Sequence, residues 1–303
     1  METKAVTESC HDQLIDQFLD GVWMQSGLSE NTLSAYRQDL KLFGLWISER
    51  DLDSLQIKST DLSEYIFWRA QHSSNRSAAR SLSSIKRFYR HLLLEEMIQH
   101  DPCSNVVAPT IGRSLPKSLS ESDVERLIDA PDVDTDLGCR DRAMLETLYA
   151  TGLRVTELVG LKLSQLDLTV GVCRVIGKGS KERLVPLGDE ATEWVERYIQ
   201  FHRANTLSGR MSEAIFVTNQ ARAMTRQGFW LNIKRYALIA GISDSLSPHT
   251  LRHAFATHLI DHGADLRSVQ MLLGHSNLST TQIYTYVAQA RLRSLHQEHH
   301  PRG

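Results

Sequence analysis

Hydrophobic residues in the first hundred positions recur at the spacing of amphipathic helices. The pattern predicts one helix around residues 14–23, a second around 33–47 with Ser29 as its cap, a third around 60–68 and a fourth around 75–92. Each helix has one apolar face, and the connections between them are short. Because four such faces can be buried against one another, we expect a compact helical bundle.

The stretch DPCSNVVAPTIGRSLPKS, residues 101–118, interrupts this helical pattern. It contains several prolines and has no hydrophobic period, which is typical of a segment between domains. We therefore predict a helical first domain over residues 1–104, a linker over 105–118 and a second domain over 119–303.

The second domain mixes helical and strand patterns. Ser120 followed by Asp123 predicts a capped helix over 120–129, a second helix is expected over 139–150, and a third begins near Arg154. The segments VCRVIG and ERLVPL are rich in β-branched residues and flank the turn KGSK, which predicts a β-hairpin. Apart from the short apolar run AIFVT, the rest is helical. The fold class is therefore mainly α, with one small β-sheet in the second domain.

Charge is segregated along the chain although its total is close to neutral. The 303 residues carry a formal net charge of −2, so the basic excess of many nucleic-acid-binding proteins is absent. Residues 75–92 nevertheless contain Arg and Lys and no acid, and residues 203–235 contain several bases with Glu213 alone against them. A single basic stretch is often only a solvated helix face. Two of them, one in each domain, suggest two surfaces that hold a DNA duplex.

Cysteine spacing and hydropathy indicate a protein of a reducing compartment. No pair has CxxC spacing, so neither a zinc site nor a redox motif is expected, and we predict reduced thiols in the cytoplasm. The first residues lack an apolar signal core, and no apolar run reaches about 18 residues, so secretion and membrane spanning are not expected. The four cysteines are Cys10, Cys103, Cys139 and Cys173.

Six polar residues of the second domain suggest phosphodiester chemistry. Five of them can offer positive charge or a proton to a phosphate, and the sixth carries a phenolic hydroxyl that can act as a nucleophile. Because arginines and a lysine supply the charge, no metal or other cofactor is expected. The candidates are Arg154, Lys178, His249, Arg252, His275 and Tyr284.

The spacing of these residues assigns several of them to a common point. Two guanidiniums, those of Arg154 and Arg252, can fork onto the non-bridging oxygens of one phosphate. His249 and Arg252 lie three residues apart on a helix that Pro248 begins, so they share one face. His275 follows Gly274 in a loop, where it can donate a hydrogen bond to phosphate.

Each candidate also has an ordinary explanation or a rival when it is taken alone. A lone arginine such as Arg154 is more often a surface ion-pair partner. Tyr286 lies two residues from Tyr284 and faces another direction on a helix, and spacing does not decide between them. In the hairpin turn, Lys181 competes with Lys178 as a proton donor to the leaving oxygen.

Three further histidines on the helix of Arg252 raise the question of a metal site. His258 and His262 have i, i+4 spacing, but the HExxH pattern is absent and no cysteine is near in the sequence. We therefore interpret them, together with His253, as structural residues.

The ordered set of motifs resembles the tyrosine recombinase (phage integrase) family. The segments are ATGLRVTEL, IGKGSKER, PHTLRHAFATH and LGHSNLSTTQIYT, and the family's catalytic residues match the six candidates in order. The resemblance resolves the nucleophile in favour of Tyr284. It covers nearly the whole chain, with the first domain similar to the family's SAM-like core-binding bundle. The hairpin and the tail resemble the bacterial Xer recombinases, in particular the branch whose partner is XerC.

The resemblance implies a cut-and-rejoin reaction on double-stranded DNA. A tyrosine attacks the scissile phosphate, a 3′-phosphotyrosyl link forms, and exchange passes through a Holliday junction. It further implies a heterotetramer with XerC on a dif-like site, which resolves chromosome dimers under the control of the FtsK translocase. The C-terminal tail is expected to be exchanged between protomers. Alternatives are a phage integrase or type IB topoisomerase using the same residues, or a non-catalytic architectural DNA-binding protein.

Overall fold

The computed structural model describes residues 2–110, 119–177, 182–242, 246–274 and 296–301. The chain divides into two compact units, Met1–Ser114 and Leu115–Gly303, each with its own hydrophobic core.

Four helices build the first unit, as the hydrophobic pattern predicts. Aromatic side chains at Phe18, Phe43, Tyr65 and Phe88 are fully buried and pack edge to face, which gives this small bundle a dense core. The helices are α1 (Glu2–Ser26), α2 (Glu30–Ser48), α3 (Ser59–His72) and α4 (Asn75–Leu94).

Helix α4 carries the basic stretch of this unit, and part of that charge is used inside the fold. Arg80 donates to both carboxylate oxygens of Asp39, at 3.1 and 2.8 Å, and the Asp39 side chain is fully buried. Lys86 Nζ donates to the Val106 carbonyl, and Arg87 donates to the Tyr36 hydroxyl. Arg76 and Arg90 are exposed, so they are the bases of this stretch with charge to offer outward.

In the second unit, helices surround α6. This helix is buried on every side, including its charged residues Arg140, Asp141, Arg142 and Glu146, which are paired with one another or with neighbours. The helices are α5 (Glu121–Asp129), α6 (Asp136–Thr151), α7 (Val155–Val159), α8 (Asp189–Arg197), α9 (Arg203–Leu207), α10 (Arg226–Ile239), α11 (Pro248–Asp261) and α12 (Leu266–Leu273). A π-helical turn, Tyr198–His202, joins α8 to α9.

The small sheet is antiparallel and contains the predicted hairpin. Strand β2 (Val172–Ile176) pairs with β3 (Glu182–Pro186), with Cys173 opposite Val185. A third strand, β1 (Leu166–Asp167), pairs with β2 and was not predicted, because two residues give no periodic signal. The AIFVT run forms isolated bridges rather than a named strand, through Ala214 and Val217.

Helix ends follow the capping chemistry of the sequence. The Ser120 hydroxyl accepts from the Asp123 backbone N–H, and an Asp123 carboxylate oxygen accepts from the Ser120 N–H, so the predicted capping box is confirmed. Helix α6 begins at Asp136 rather than at residue 139, because Thr135 caps it by accepting from the Gly138 N–H.

The described end of the C-terminal tail lies on its own unit. His296 Nε2 donates to the Ala150 carbonyl at 2.6 Å, and His300 Nε2 donates to the Tyr149 carbonyl at 3.1 Å. Both histidines are buried against the end of α6. Exchange of the tail between protomers stays a prediction, because these are contacts within a single chain.

Candidate active site

Four helix ends meet at one side of the second unit. Helix α6 ends at Gly152 in a left-handed conformation (φ 57°), which turns the chain so that Arg154 can cap α7. Alanine at Gly152 would place its Cβ 2.3 Å from Phe255, so only glycine fits this turn. The first turn of α11 and the last turn of α12 complete the group.

Arg252 is held by two of these helix ends. Its Nη1 donates to the Gly152 carbonyl at 2.5 Å and its Nη2 to the Leu273 carbonyl at 2.7 Å. Carbonyls at helix C-termini lack intrahelical donors and carry partial negative charge. A guanidinium supplies the missing hydrogen bonds and balances the charge. Burial, followed by the charge of Arg154, lowers the pKa of Arg252 to about 10, which leaves it protonated at neutral pH.

Arg154 is placed by a carboxylate one turn along α7. The Arg154 backbone N–H donates to Glu157 Oε2 at 2.7 Å, and Arg154 Nη1 donates to Glu157 Oε1 at 3.0 Å. The side chain of Arg154 stays 37% exposed, so it can still meet a ligand. Arg252 bonds the carbonyl of Gly152, two residues before Arg154, so both arginines lie at the same end of α6.

Two residues of the site were missed from the sequence. Arg183 on β3 makes two parallel hydrogen bonds to the Glu157 carboxylate, both at 2.9 Å, and both side chains are buried. Burial alone would raise the pKa of Glu157, but the hydrogen bonds and charge of Arg183, and then Arg154, lower it below its usual value. Glu157 could have been found three residues after a capping position, whereas nothing local marks Arg183.

His249 is where the pattern predicts it. Ser247 caps α11 by accepting from the Thr250 N–H, Pro248 is in the first turn, and His249 follows it. His249 is exposed, and in the described part of the chain it makes no hydrogen bond or ion pair. The imidazole is therefore accessible one turn before Arg252.

The other three predicted site residues, Lys178, His275 and Tyr284, lie outside the described residues, as do the rivals Lys181 and Tyr286. The described segment 246–274 ends directly before His275, at Gly274, whose left-handed conformation (φ 70°) ends α12.

Two of the three histidines interpreted as structural, His258 and His262, have partners that tie helices together, whereas His253 is exposed. His258 is buried, donates from Nε2 to the Leu119 carbonyl and accepts the Tyr149 hydroxyl at Nδ1. His262 Nε2 bonds to Glu121 Oε1 at 2.7 Å. These contacts tie α11 to α5 and α6.

The basic stretch 203–235 is less uniform than its sequence suggests. Arg203 is buried and donates to the carbonyls of Ser212, Ala214 and Ile215, so it supports a loop and offers no outward charge. Outward-facing charge remains at Arg222 and Arg226, which are exposed.

Family comparison covers both units. The model of the phage integrase family matches residues 117–291, and that of the phage integrase N-terminal SAM-like domain matches residues 15–96. Tyrosine recombinase XerD of Pseudomonas putida is 58% identical over 292 residues, covering 96% of this chain and 98% of that protein. Tyrosine recombinase XerD of Shewanella oneidensis is 54% identical over 300 residues, covering 99% and 100%.

Solved structures share the fold. A post-cleavage complex of XerH recombinase with a palindromic difH substrate has a TM-score of 0.69 and 22% identity, covering 87% of this chain and 78% of that chain. A lambda integrase dimer bound to a COC′ core site has a TM-score of 0.68 and 18% identity, covering 93% and 76%. The predicted mainly helical fold class is confirmed. The chain belongs to the phage integrase family of tyrosine recombinases.

Proposed function

We propose that this protein cuts and rejoins DNA at a dif-like site through a 3′-phosphotyrosyl intermediate and a Holliday junction. The observation that carries the proposal is the joint anchoring of two arginines, Arg154 by Glu157 and Arg252 by two helix-end carbonyls. Fixed guanidiniums of this kind stabilise the charge that develops on a phosphate, because they need no reorganisation during the reaction.

Each of the six residues has a chemical role in this reaction. The Tyr284 oxygen attacks phosphorus, the bond from phosphorus to the 5′-oxygen breaks, and a 3′-phosphotyrosyl ester forms. Arg154 and Arg252 bind the non-bridging oxygens, with His249 and His275 donating hydrogen bonds to them. Lys178 gives a proton to the departing 5′-oxygen.

The covalent ester keeps the reaction reversible without a nucleotide cofactor. The bond energy of the broken phosphodiester is conserved in the tyrosyl ester, and a 5′-hydroxyl of the partner strand then attacks it. Tyrosine returns as the leaving group, and a new phosphodiester joins the exchanged strands.

The names of the relatives support the partners that we propose. The curated relatives are named XerD, and we propose a heterotetramer with XerC on double-stranded dif-like DNA, stimulated by the FtsK translocase and resolving chromosome dimers in the cytoplasm. The described helices contain no segment long and apolar enough to cross a membrane. The thiols of Cys103, Cys139 and Cys173 are unpaired and buried, which suits a reducing compartment.

Covalent capture tests the proposal. A nicked duplex with a dif-type core, mixed with the full-length protein and XerC, should give a protein–DNA adduct on a denaturing gel. Tyr284→Phe should keep DNA binding and form no adduct, because only the hydroxyl is lost. Tyr286→Phe is the matched control and should form the adduct normally. An adduct that persists in Tyr284→Phe and disappears in Tyr286→Phe would falsify the nucleophile assignment.

The alternatives are separated when relaxation of supercoiled DNA and strand exchange between two sites are measured beside the adduct. A topoisomerase would relax supercoiled DNA without paired sites, whereas a recombinase needs two sites and exchanges strands between them. An architectural protein would bind the duplex and never form an adduct.

A further inference from the structure

Arg183 is a buried arginine that none of the six candidate residues explains. It lies on β3, and its side chain is 6% exposed. Two of its nitrogens donate to the Glu157 carboxylate at 2.9 Å, and Nε donates to the Leu272 carbonyl at 3.3 Å. The guanidinium is thus committed to protein partners on two other elements, and it does not reach outward to DNA.

The contact with Glu157 passes directly to Arg154. Each carboxylate oxygen of Glu157 serves both arginines: Oε1 accepts from both side chains, and Oε2 accepts from the Arg183 side chain and the Arg154 backbone. A buried carboxylate with a single partner would turn fully towards it and neutralise it. The paired hydrogen bonds of Arg183 fix the carboxylate plane, and that plane fixes Arg154.

The contact with α12 reaches the segment that precedes His275. Arg183 holds the Leu272 carbonyl, and Arg252 holds the next carbonyl, that of Leu273. Gly274 packs against the Arg183 guanidinium, since a Cβ there would lie 3.1 Å from three of its atoms. Consecutive carbonyls at the end of α12 are therefore fixed by two different arginines.

We propose that Arg183 is a positioning residue for the cleavage step, acting through Glu157 on Arg154 and through the end of α12. The inference rests on the proposed function, because it assigns a part to the geometry of the phosphate site. Arg183 orients Arg154 through Glu157, and it fixes the end of α12 through the Leu272 carbonyl. It makes no contact with DNA itself.

Separate measurements of binding and cleavage distinguish this role from simple stabilisation. Arg183→Gln in the full-length protein should bind a dif-type duplex within about 3-fold of wild type. At saturating protein on the nicked duplex, it should cleave on the order of 100-fold more slowly, as expected for displaced catalytic groups. Arg183→Lys should stay close to Arg183→Gln, because an ammonium cannot make the two parallel bonds and reach Leu272.

Arg140 provides a matched control. It is also buried, donates twice to one carboxylate, that of Asp141, and once to a backbone carbonyl, that of Val217. It lies near the start of α6, about 18 Å along the helix from Gly152 at 1.5 Å per residue. Arg140→Gln should lower the melting temperature as Arg183→Gln does, yet cleave at the wild-type rate below that temperature. Equal cleavage defects in the two variants would overturn the proposal.

A sulfur substrate decides which part of the chemistry Arg183 serves. A 5′-bridging phosphorothiolate has a leaving group that needs little protonation, so it bypasses the proton donor. The Arg183→Gln defect should persist on this substrate, because phosphate stabilisation is what has been lost. Restoration of the wild-type rate would show that Arg183 acts through the hairpin lysine and would overturn the proposal.

A double-mutant cycle with Glu157 keeps the test independent of recombinase activity. Melting temperatures of Arg183→Gln, Glu157→Gln and the double variant should be strongly non-additive, because the two side chains share one interaction. Additive effects would overturn the inference. If wild-type protein formed no adduct, the proposed function would fail, and this cycle would still decide whether Arg183 holds Glu157.

Discussion

At the scale of single residues, the site is a small set of arginines around one carboxylate. The described part holds Arg154, Arg183 and Arg252 with Glu157 between two of them, so positive charge is in excess. An excess of fixed cations attracts a phosphate, and the carboxylate keeps the cations from separating. The chemistry of the reaction thus depends on how each guanidinium is held, as well as on its presence.

The ionised state of Glu157 predicts a pH-dependent contribution to stability. Its pKa is lowered in the folded protein, so its stabilisation is complete above the unfolded value, about 4.3, and is lost as pH falls through the folded pKa. At pH 7, Glu157→Gln should cost roughly 3–5 kcal/mol, because Arg183 stays buried without its partner. Thermal unfolding should show that the difference in stability between wild type and Glu157→Gln becomes smaller below about pH 4. Glu193→Gln, on the exposed face of α8, should show no such difference at either pH.

The leaving-group role of Lys178 is tested at the same scale. Lys178→Ala should cleave ordinary nicked DNA slowly, because the 5′-alkoxide leaves without a proton. A 5′-bridging phosphorothiolate should largely restore its rate and should leave Arg154→Ala slow. Lys181→Ala is the control for the rival in the same turn. Selective rescue of Lys181→Ala instead would move the role to that residue.

At the scale of elements, helix ends do most of the positioning. The C-termini of α6 and α12 supply the carbonyls that hold Arg252. The left-handed conformations of Gly152 and Gly274 let the backbone change direction directly after each helix. Helix α11 starts at Pro248 and projects His249 and Arg252 from its first turns. Side chains mounted on rigid helix ends keep their separation better than side chains on long loops.

A pair of glycines separates backbone strain from contact with the site. Gly274 and Gly241 both have left-handed backbones, with φ of 70° and 68°. A Cβ at Gly241 meets nothing within 4 Å, whereas one at Gly274 meets the Arg183 guanidinium. Each alanine variant should lose about 1 kcal/mol of stability from strain. Gly274→Ala should in addition slow cleavage on nicked DNA. Equal cleavage rates in the two variants would show that Arg183 tolerates the extra methyl.

Local signals in the sequence predicted elements well and long-range contacts poorly. The helices of the first unit, the hairpin, the cap at Ser120 and the helix start at Pro248 follow from neighbours within a few positions. The link from Arg183 to Glu157 spans 26 residues, and the link from Arg252 to Gly152 spans 100. No period or cap records such a pairing. Arg252 was found through a family motif, and Arg183 was not.

At the scale of the whole molecule, the basic stretches in the sequence divide into structural and outward-facing residues. Arg203 supports a loop in the second unit, and Arg80 neutralises buried Asp39 in the first. The net charge of −2 therefore does not measure DNA affinity. The relevant quantity is the exposed charge on each unit's own surface. The exposed set described here includes Arg76, Arg90, Arg222 and Arg226.

Two neighbouring arginines of α4 provide the sharpest test of this division. Arg76 is exposed and has no hydrogen bond or ion pair among the described residues, whereas Arg80 is bound to Asp39. If Arg76 neutralises a phosphate, Arg76→Gln should weaken duplex binding at every sequence and reduce the slope of log affinity against log salt by about 1. Its melting temperature should not change.

Arg80→Gln should lower the melting temperature, because Asp39 is left buried without its cation, and any weaker binding should follow that loss of folded protein. Titrations of one duplex at several salt concentrations, beside thermal unfolding of both variants, measure the two effects separately. An unchanged salt slope in Arg76→Gln would remove this end of α4 from the DNA-binding surface.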